Sequence, residues 1–245
     1  MNLKQARETY NYPSAHIRCQ AGVSRHSEYI YVRPLENLEN QSSYIFHSTI
    51  DLDAYHNRLL TSLVSADKVV GVASIIYWGT YYNKQKPSHG IACHRVQRFQ
   101  VGNSRSHRSV SSIGIDTIAN HVALAQDLIN SEKYGKALSE IMNIPWLSRA
   151  FGSKVLSFLN PNRIGVYDIH ISRYVKRSEL EMKSTGAMTV SAENTFNRFC
   201  NYLIEHAEHL NTSATPKWSD WDGKEYQWRA VDVERAMFYL ATNRG

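Results

Sequence analysis

The chain is predicted to be mostly α-helical, and three segments carry that prediction. Residues 116–129 repeat apolar side chains at helical spacing through Ile118, Val122, Leu124, Ala125, Leu128 and Ile129. Residues 192–210 do so through Phe196, Phe199, Cys200, Leu203 and Ala207, and residues 231–242 form a closing run. With 245 residues, 42% hydrophobic and 20% charged, the chain has an ordinary globular composition. It is long enough for one substantial core, or for a helical bundle of two small lobes around a cleft.

The other elements follow in order. Residues 26–50 alternate aromatic and polar side chains and read as extended segments or short helices. Residues 51–66 place Leu52, Tyr55, Leu59, Leu60 and Leu63 at helical spacing, with Asp51 as the expected N-cap. Val69 to Trp78 is an apolar run that fits a buried helix or strand. Residues 83–112 are polar, basic and Gly/Ser-containing and predict a long loop or irregular insert. A helix is expected over Glu132 to Met142. Gly152-Ser153 then breaks the pattern, with Ser153 capping a helix from Lys154 to Leu159. Asn160-Pro161-Asn162 ends that helix, and another is expected from Ile169 to Lys176.

Charge narrows the function. The formal net charge is +6. From Lys68 to Ile115 there is no Asp or Glu, while Lys68, Lys84, Lys86, Arg95, Arg98, Arg105 and Arg108 stand with His89, His94 and His107. So one-signed a stretch suits a polyanion such as nucleic acid, whose binding gains from counterion release. A solvated basic face balanced by acids elsewhere is the plainer alternative. No apolar run approaches the ~18 residues of a transmembrane helix, and the N-terminus lacks a signal-peptide core. Cys19, Cys93 and Cys200 are odd in number and widely spaced, so neither a disulfide framework nor a four-cysteine cluster is expected, and a reducing cytoplasm fits. His206 with His209, and Cys93 with His94, lack a third ligand, so no metal and no cofactor is expected.

The chemistry-bearing stretch is FGSKVLSFLNPNRIGVYDIH, residues 151–170. A helical hairpin over about 136–159, turning at Gly152, would point backbone N–H groups at a DNA phosphate. Lys154 would lie one residue inside the second helix, as an amine nucleophile able to form an imine. Asp168 follows an apolar run and begins a helix. It reads either as a cap or as an anion that stabilises an oxocarbenium ion. A lysine and an aspartate facing one cleft suit attack at C1′ of a nucleoside.

The same residues resemble the hairpin-plus-aspartate signature of the helix-hairpin-helix DNA glycosylase superfamily, in particular its 8-oxoguanine DNA glycosylase branch and bacterial proteins of that fold. Ala150-Phe151-Gly152-Ser153-Lys154-Val155 is similar to the hairpin, and Tyr167-Asp168-Ile169-His170 to the segment carrying the carboxylate. The resemblance implies Lys154 as nucleophile, Asp168 as catalytic carboxylate and His170 as a phosphate or active-site contact. On this reading residues 1–245 form a single unit with a helical core over 116–210. It would act as a monomer on double-stranded DNA carrying a modified base, either oxidised guanine or a hypermodified base of phage DNA.

Flipping a base from the stack costs a few kcal/mol, which aromatic and polar groups must offset. Trp78, Tyr81 and Trp228 are the candidates for the base pocket, with Tyr82 and Trp221 as further aromatics. Gly152, Ser153, His170, Arg95, Arg98, Arg105 and Arg108 are the expected DNA contacts. The competing expectation is a non-catalytic helix-hairpin-helix DNA-binding module. A nuclease is disfavoured because no carboxylates cluster at metal spacing.

Overall fold

The computed structural model describes residues 2–10, 48–83, 86–102, 108–175, 180–181, 186–212 and 217–243. Its order begins α1 (Leu3–Thr9), α2 (Thr49–Thr61), α3 (Ser65–Tyr81), β1 (Tyr82–Asn83), β2 (Lys86–Pro87), α4 (His89–Val101), α5 (Val110–Ile113) and α6 (Ile115–Asn130). There follow α7 (Tyr134–Ile141), α8 (Arg149–Leu159), α9 (Ile169–Val175), α10 (Val190–Thr212), β3 (Trp218–Ser219), β4 (Glu225–Tyr226) and α11 (Ala230–Thr242). The strands form two minimal antiparallel hairpins, so the protein is mostly α as expected. Among the described residues no helix is long and apolar enough to cross a membrane.

The core is built around α3, which packs against α2, α4, α6 and α8. Every residue from Lys68 to Trp78 is buried. A helix apolar on all sides has to sit centrally, and each fully buried Val or Ile there contributes about 1.5–3 kcal/mol. The periodic helices behave as their spacing predicts. On α10, Phe196, Phe199, Cys200, Leu203 and Ala207 are buried. On α6 the stripe is Ile118, Val122, Ala125 and Ile129, while Leu124 is 47% exposed because it falls outside that stripe.

Three expectations are corrected. The 83–112 stretch is not a long loop, because α4 occupies much of it. Ala92, Val96 and Phe99, at i, i+4 and i+7, are fully buried on a helix packed against α3, a stripe obscured by the polar residues around it. The cap of α2 is Ser48, whose hydroxyl accepts from the Asp51 N–H at 3.0 Å, so Asp51 sits in the first turn. The break before Lys154 lies earlier than Gly152: α8 starts after Ser148, and Gly152 and Ser153 are interior helical residues. The alternating stretch 26–50 lies outside the described residues up to position 47.

The turn between α7 and α8 spans Met142 to Ser148. Trp146 adopts the left-handed region there, at φ 68°. Its indole donates to Arg108 O at 3.1 Å, and the Arg108 guanidinium donates to Asn143 O at 2.9 Å, which braces the turn. The two helices meet closely at Gly152, where a Cβ would stand 2.9 Å from Leu138 Cδ1. Glycine is therefore needed for packing rather than for a turn.

α11 is anchored by buried charges. Arg7 of α1 donates to Asp232 Oδ1 through Nε and Nη2 at 3.1 and 3.0 Å, and stacks over Trp218 at 3.6 Å. Arg229 donates to Asp232 Oδ2 and to Asp53 Oδ2, both at 2.7 Å. Arg235 donates to Asp53 Oδ2 at 3.0 Å. One network thus ties α1, α2 and α11 together. Burial alone would raise the Asp232 pKa, but the charges of Arg229 and Arg7 hold it down at about 2.

Candidate active site

Lys154 and Asp168 reach one cavity because a single hydroxyl sets their register. Ser153 Oγ accepts from the Tyr167 N–H at 2.9 Å, across 14 positions of sequence. The bond links α8 to residues 164–167, which are buried throughout. The residues that follow each partner, Lys154 and Asp168, are thereby placed on the same side. Tyr167 is held further by donation from its hydroxyl to Leu180 O at 2.7 Å and by an edge contact with Phe199 at 5.0 Å.

The loop between them is also fixed. Asn57 of α2 donates to Phe158 O and Leu159 O, each at 2.9 Å. Pro161 O and Asn162 O accept from the N–H groups of Val231 and Ala230 at 3.0 and 3.4 Å. The first turn of α11 therefore docks on the loop that joins α8 to the Asp168 segment.

The resulting cavity has a volume of about 230 Å³. It is lined by Tyr10, Trp78, Gly79, Lys154, Ser157, Val166, Asp168, His170, Val231, Glu234, Arg235 and Phe238. Lys154 lies in the middle of α8, with Nζ 5.3 Å from the centre of the Phe151 ring. It is therefore not one residue inside a helix start, as expected, since the first turn of α8 is Arg149 to Phe151. Asp168 does cap a helix. Its Oδ1 accepts from the N–H groups of His170 and Ile171 at 2.8 and 3.0 Å, which fixes the carboxylate at the cavity. His170 is exposed at the mouth, its ring edge-on to Phe238 at 5.7 Å.

Other expected site residues fall elsewhere. Gly152 and Ser153 are buried inside α8 and present no N–H groups to a phosphate, because both are interior to the helix and the Gly152 N–H donates to Ser148 O at 2.6 Å. Trp228 is buried away from the cavity, clasped by Asn211, which accepts from its N–H at 2.8 Å and donates to its carbonyl at 2.9 Å. Tyr81 stacks on Tyr77 at 5.6 Å and does not line the cavity. Of the expected aromatics whose side chains are described, only Trp78 does, and the side chain of Tyr82 lies outside the described ones. Arg95 is exposed and Arg98 half-buried on α4, Arg108 braces the α7–α8 turn, and Arg105 lies outside the described residues. Among the described residues no group of three His, Cys, Asp or Glu side chains could hold a metal ion.

Glu234 is the residue that sequence reasoning missed. It is 3% exposed, on α11, in the wall of the cavity. Burial, and then the charge of Asp168, raise its pKa to about 8, against the opposing effects of Arg235, Lys154 and the Val166 N–H. The signal was present in the spacing. Val231, Glu234, Arg235 and Phe238 stand at i, i+3, i+4 and i+7, so an acid occupies an inward position of the closing helix. Its seat depends on Gly165, where a Cβ would come within 2.4 Å of Leu203 Cδ1 and 2.8 Å of Glu234 Cβ.

Compared with known protein families, with curated proteins and with solved structures, the chain finds no match.

Proposed function

We propose that the protein is a DNA glycosylase that flips a modified base out of duplex DNA and cuts its N-glycosidic bond. The observation that carries this reading is the convergence of Lys154 and Asp168 on one partly apolar cavity. An amine and a fixed carboxylate at the mouth of an aromatic-walled pocket suit displacement at C1′. The base enters beside Trp78, Val166 and Val231. Asp168, held by two backbone N–H groups, faces the positive charge that develops on the sugar. Lys154 attacks C1′, and the resulting imine permits strand cleavage by β-elimination. His170 and the exposed cations of α4 and α9 meet phosphates. The substrate is oxidised guanine or a hypermodified base of phage DNA, the latter placing the protein in antiviral defence.

The test is release of free base from an 8-oxoguanine duplex and from DNA of a phage carrying a hypermodified base. Wild type is expected to release base from one of them, and Asp168→Asn to lose at least about 10²-fold in rate. Borohydride is expected to trap a covalent complex with wild type and none with Lys154→Gln. Base release without trapping would shift the attack from Lys154 to a water activated by Asp168. Release from neither DNA by wild type would favour a non-catalytic DNA-binding module.

A further inference from the structure

A buried acid with no salt-bridging cation is an expensive thing to build into a helix. Removing a carboxylate from water without a partner costs several kcal/mol, and such groups take up a proton instead. Two positions before Glu234, Asp232 receives hydrogen bonds from Arg7 and Arg229. Among the described residues no cation clamps Glu234 in this way: its neighbour Arg235 donates to Asp53, and the Val166 N–H is its hydrogen-bond partner. A hydrocarbon side chain would fill the space more stably, yet an acid lines the cavity together with Lys154 and Asp168.

We propose that Glu234 is the acid that protonates the departing base. This rests on the glycosylase reading and assigns the half of the reaction that Lys154 and Asp168 leave open. As the C1′–N bond breaks, its electron pair goes to the base. The Glu234 O–H bond breaks in turn, and the proton goes to a heteroatom of that base. The amine of Lys154 forms the new bond to C1′, and the ammonium so produced returns a proton to the Glu234 carboxylate. The base leaves with one added hydrogen, and Glu234 is restored.

The surroundings suit this role. The charged and titratable groups sharing the cavity are Asp168, Lys154, His170, Tyr10 and Arg235. Burial keeps the proton on Glu234, and the nearby carboxylate of Asp168 acts in the same direction. Asp168 itself is held by helix N–H groups, so the two carboxyl groups of one cavity sit in different surroundings and take different tasks.

The experiment is single-turnover base release by wild type, Glu234→Gln and Glu234→Asp, on the 8-oxoguanine duplex and the modified phage DNA, from pH 6 to 10. Wild type is expected to slow about tenfold per pH unit above roughly pH 8, where the acid is lost. Glu234→Gln should be slower by about 10²-fold or more at neutral pH, with DNA affinity unchanged and a flat profile through pH 8. Glu234→Asp, which keeps an acid, should recover part of the rate. Wild-type release with an unchanged rate and profile in Glu234→Gln overturns this role alone. So does a loss confined to affinity. No release by wild type from either DNA removes the glycosylase reading and this role together.

Discussion

Two carboxyl groups on one turn of α11 meet opposite fates. Asp232 and Glu234 are both buried, at 0% and 3% exposure. Asp232 meets Arg229 and, from α1, Arg7, and these arginines hold its pKa at about 2 against burial. Glu234 faces the cavity, where burial and a neighbouring anion lift its pKa to about 8. Depth is the same and partners differ. The paired side holds the helix in place, and the unpaired side gives the cavity a neutral acid. A buried charge with its counter-ions is scaffold, while a buried acid without them is a candidate for chemistry.

The comparison can be broken most sharply by pH. Glu234 has a folded pKa raised above its ordinary 4.5. The folded state therefore binds the extra proton, and stability is lost as pH rises from about 4.5 through about 8. The difference corresponds to about 5 kcal/mol at most. Glu234→Gln removes this dependence, so it should be the more stable protein at pH 9, by about 10 °C in melting temperature. Parallel dependence of melting temperature on pH in the two proteins from pH 5 to 9 would show that Glu234 does not hold a proton in the folded state. On the acid side Asp232 acts with the opposite sign: its contribution is present above about pH 4 and fades as pH falls toward about 2.

The paired side is tested by Asp232→Ala. It leaves Arg7 and Arg229 without their shared counter-charge and should cost about 3–4 kcal/mol in denaturant unfolding. A loss under about 1 kcal/mol would mean that water or neighbouring acids replace it. The smallest expected effect is at the latch between the two halves of the site. Ser153→Ala leaves the buried Tyr167 N–H without its acceptor and should cost about 1–2 kcal/mol. Because it also loosens the Asp168 segment, base release should fall by more than stability alone explains. A rate equal to wild type would show that Tyr167 is held by its hydroxyl and ring contacts instead.

How much of this was legible in the sequence varies from element to element. The periodic helices α6, α10 and α11 were readable because their buried stripes repeat cleanly. α4 was hidden because Gly90, Gln97 and the basic residues around Ala92, Val96 and Phe99 read as loop. Lys154 and Asp168 were singled out by their place around an apolar stretch, and they share a cavity. The local geometry was misread, because Gly152-Ser153 resembles a turn and is used inside a helix for close packing and for a hydroxyl acceptor. Glu234 escaped because a charged residue in a closing helix is ordinarily on the surface. Only its spacing from Val231 and Phe238 marks it as inward, and only the fold shows which of the charges on α11 find partners.

The loop at residues 160–162 has a consequence beyond ending a helix. Its two carbonyls receive the start of α11, its near end is gripped by Asn57, and its far end runs into the segment that carries Asp168. It is the common datum from which the amine, the carboxylate and the neutral acid are all measured. Three groups from distant parts of the chain therefore share one mechanical reference. Lengthening that loop by a single residue would shift all three out of phase at once, although the residues it touches perform none of the chemistry.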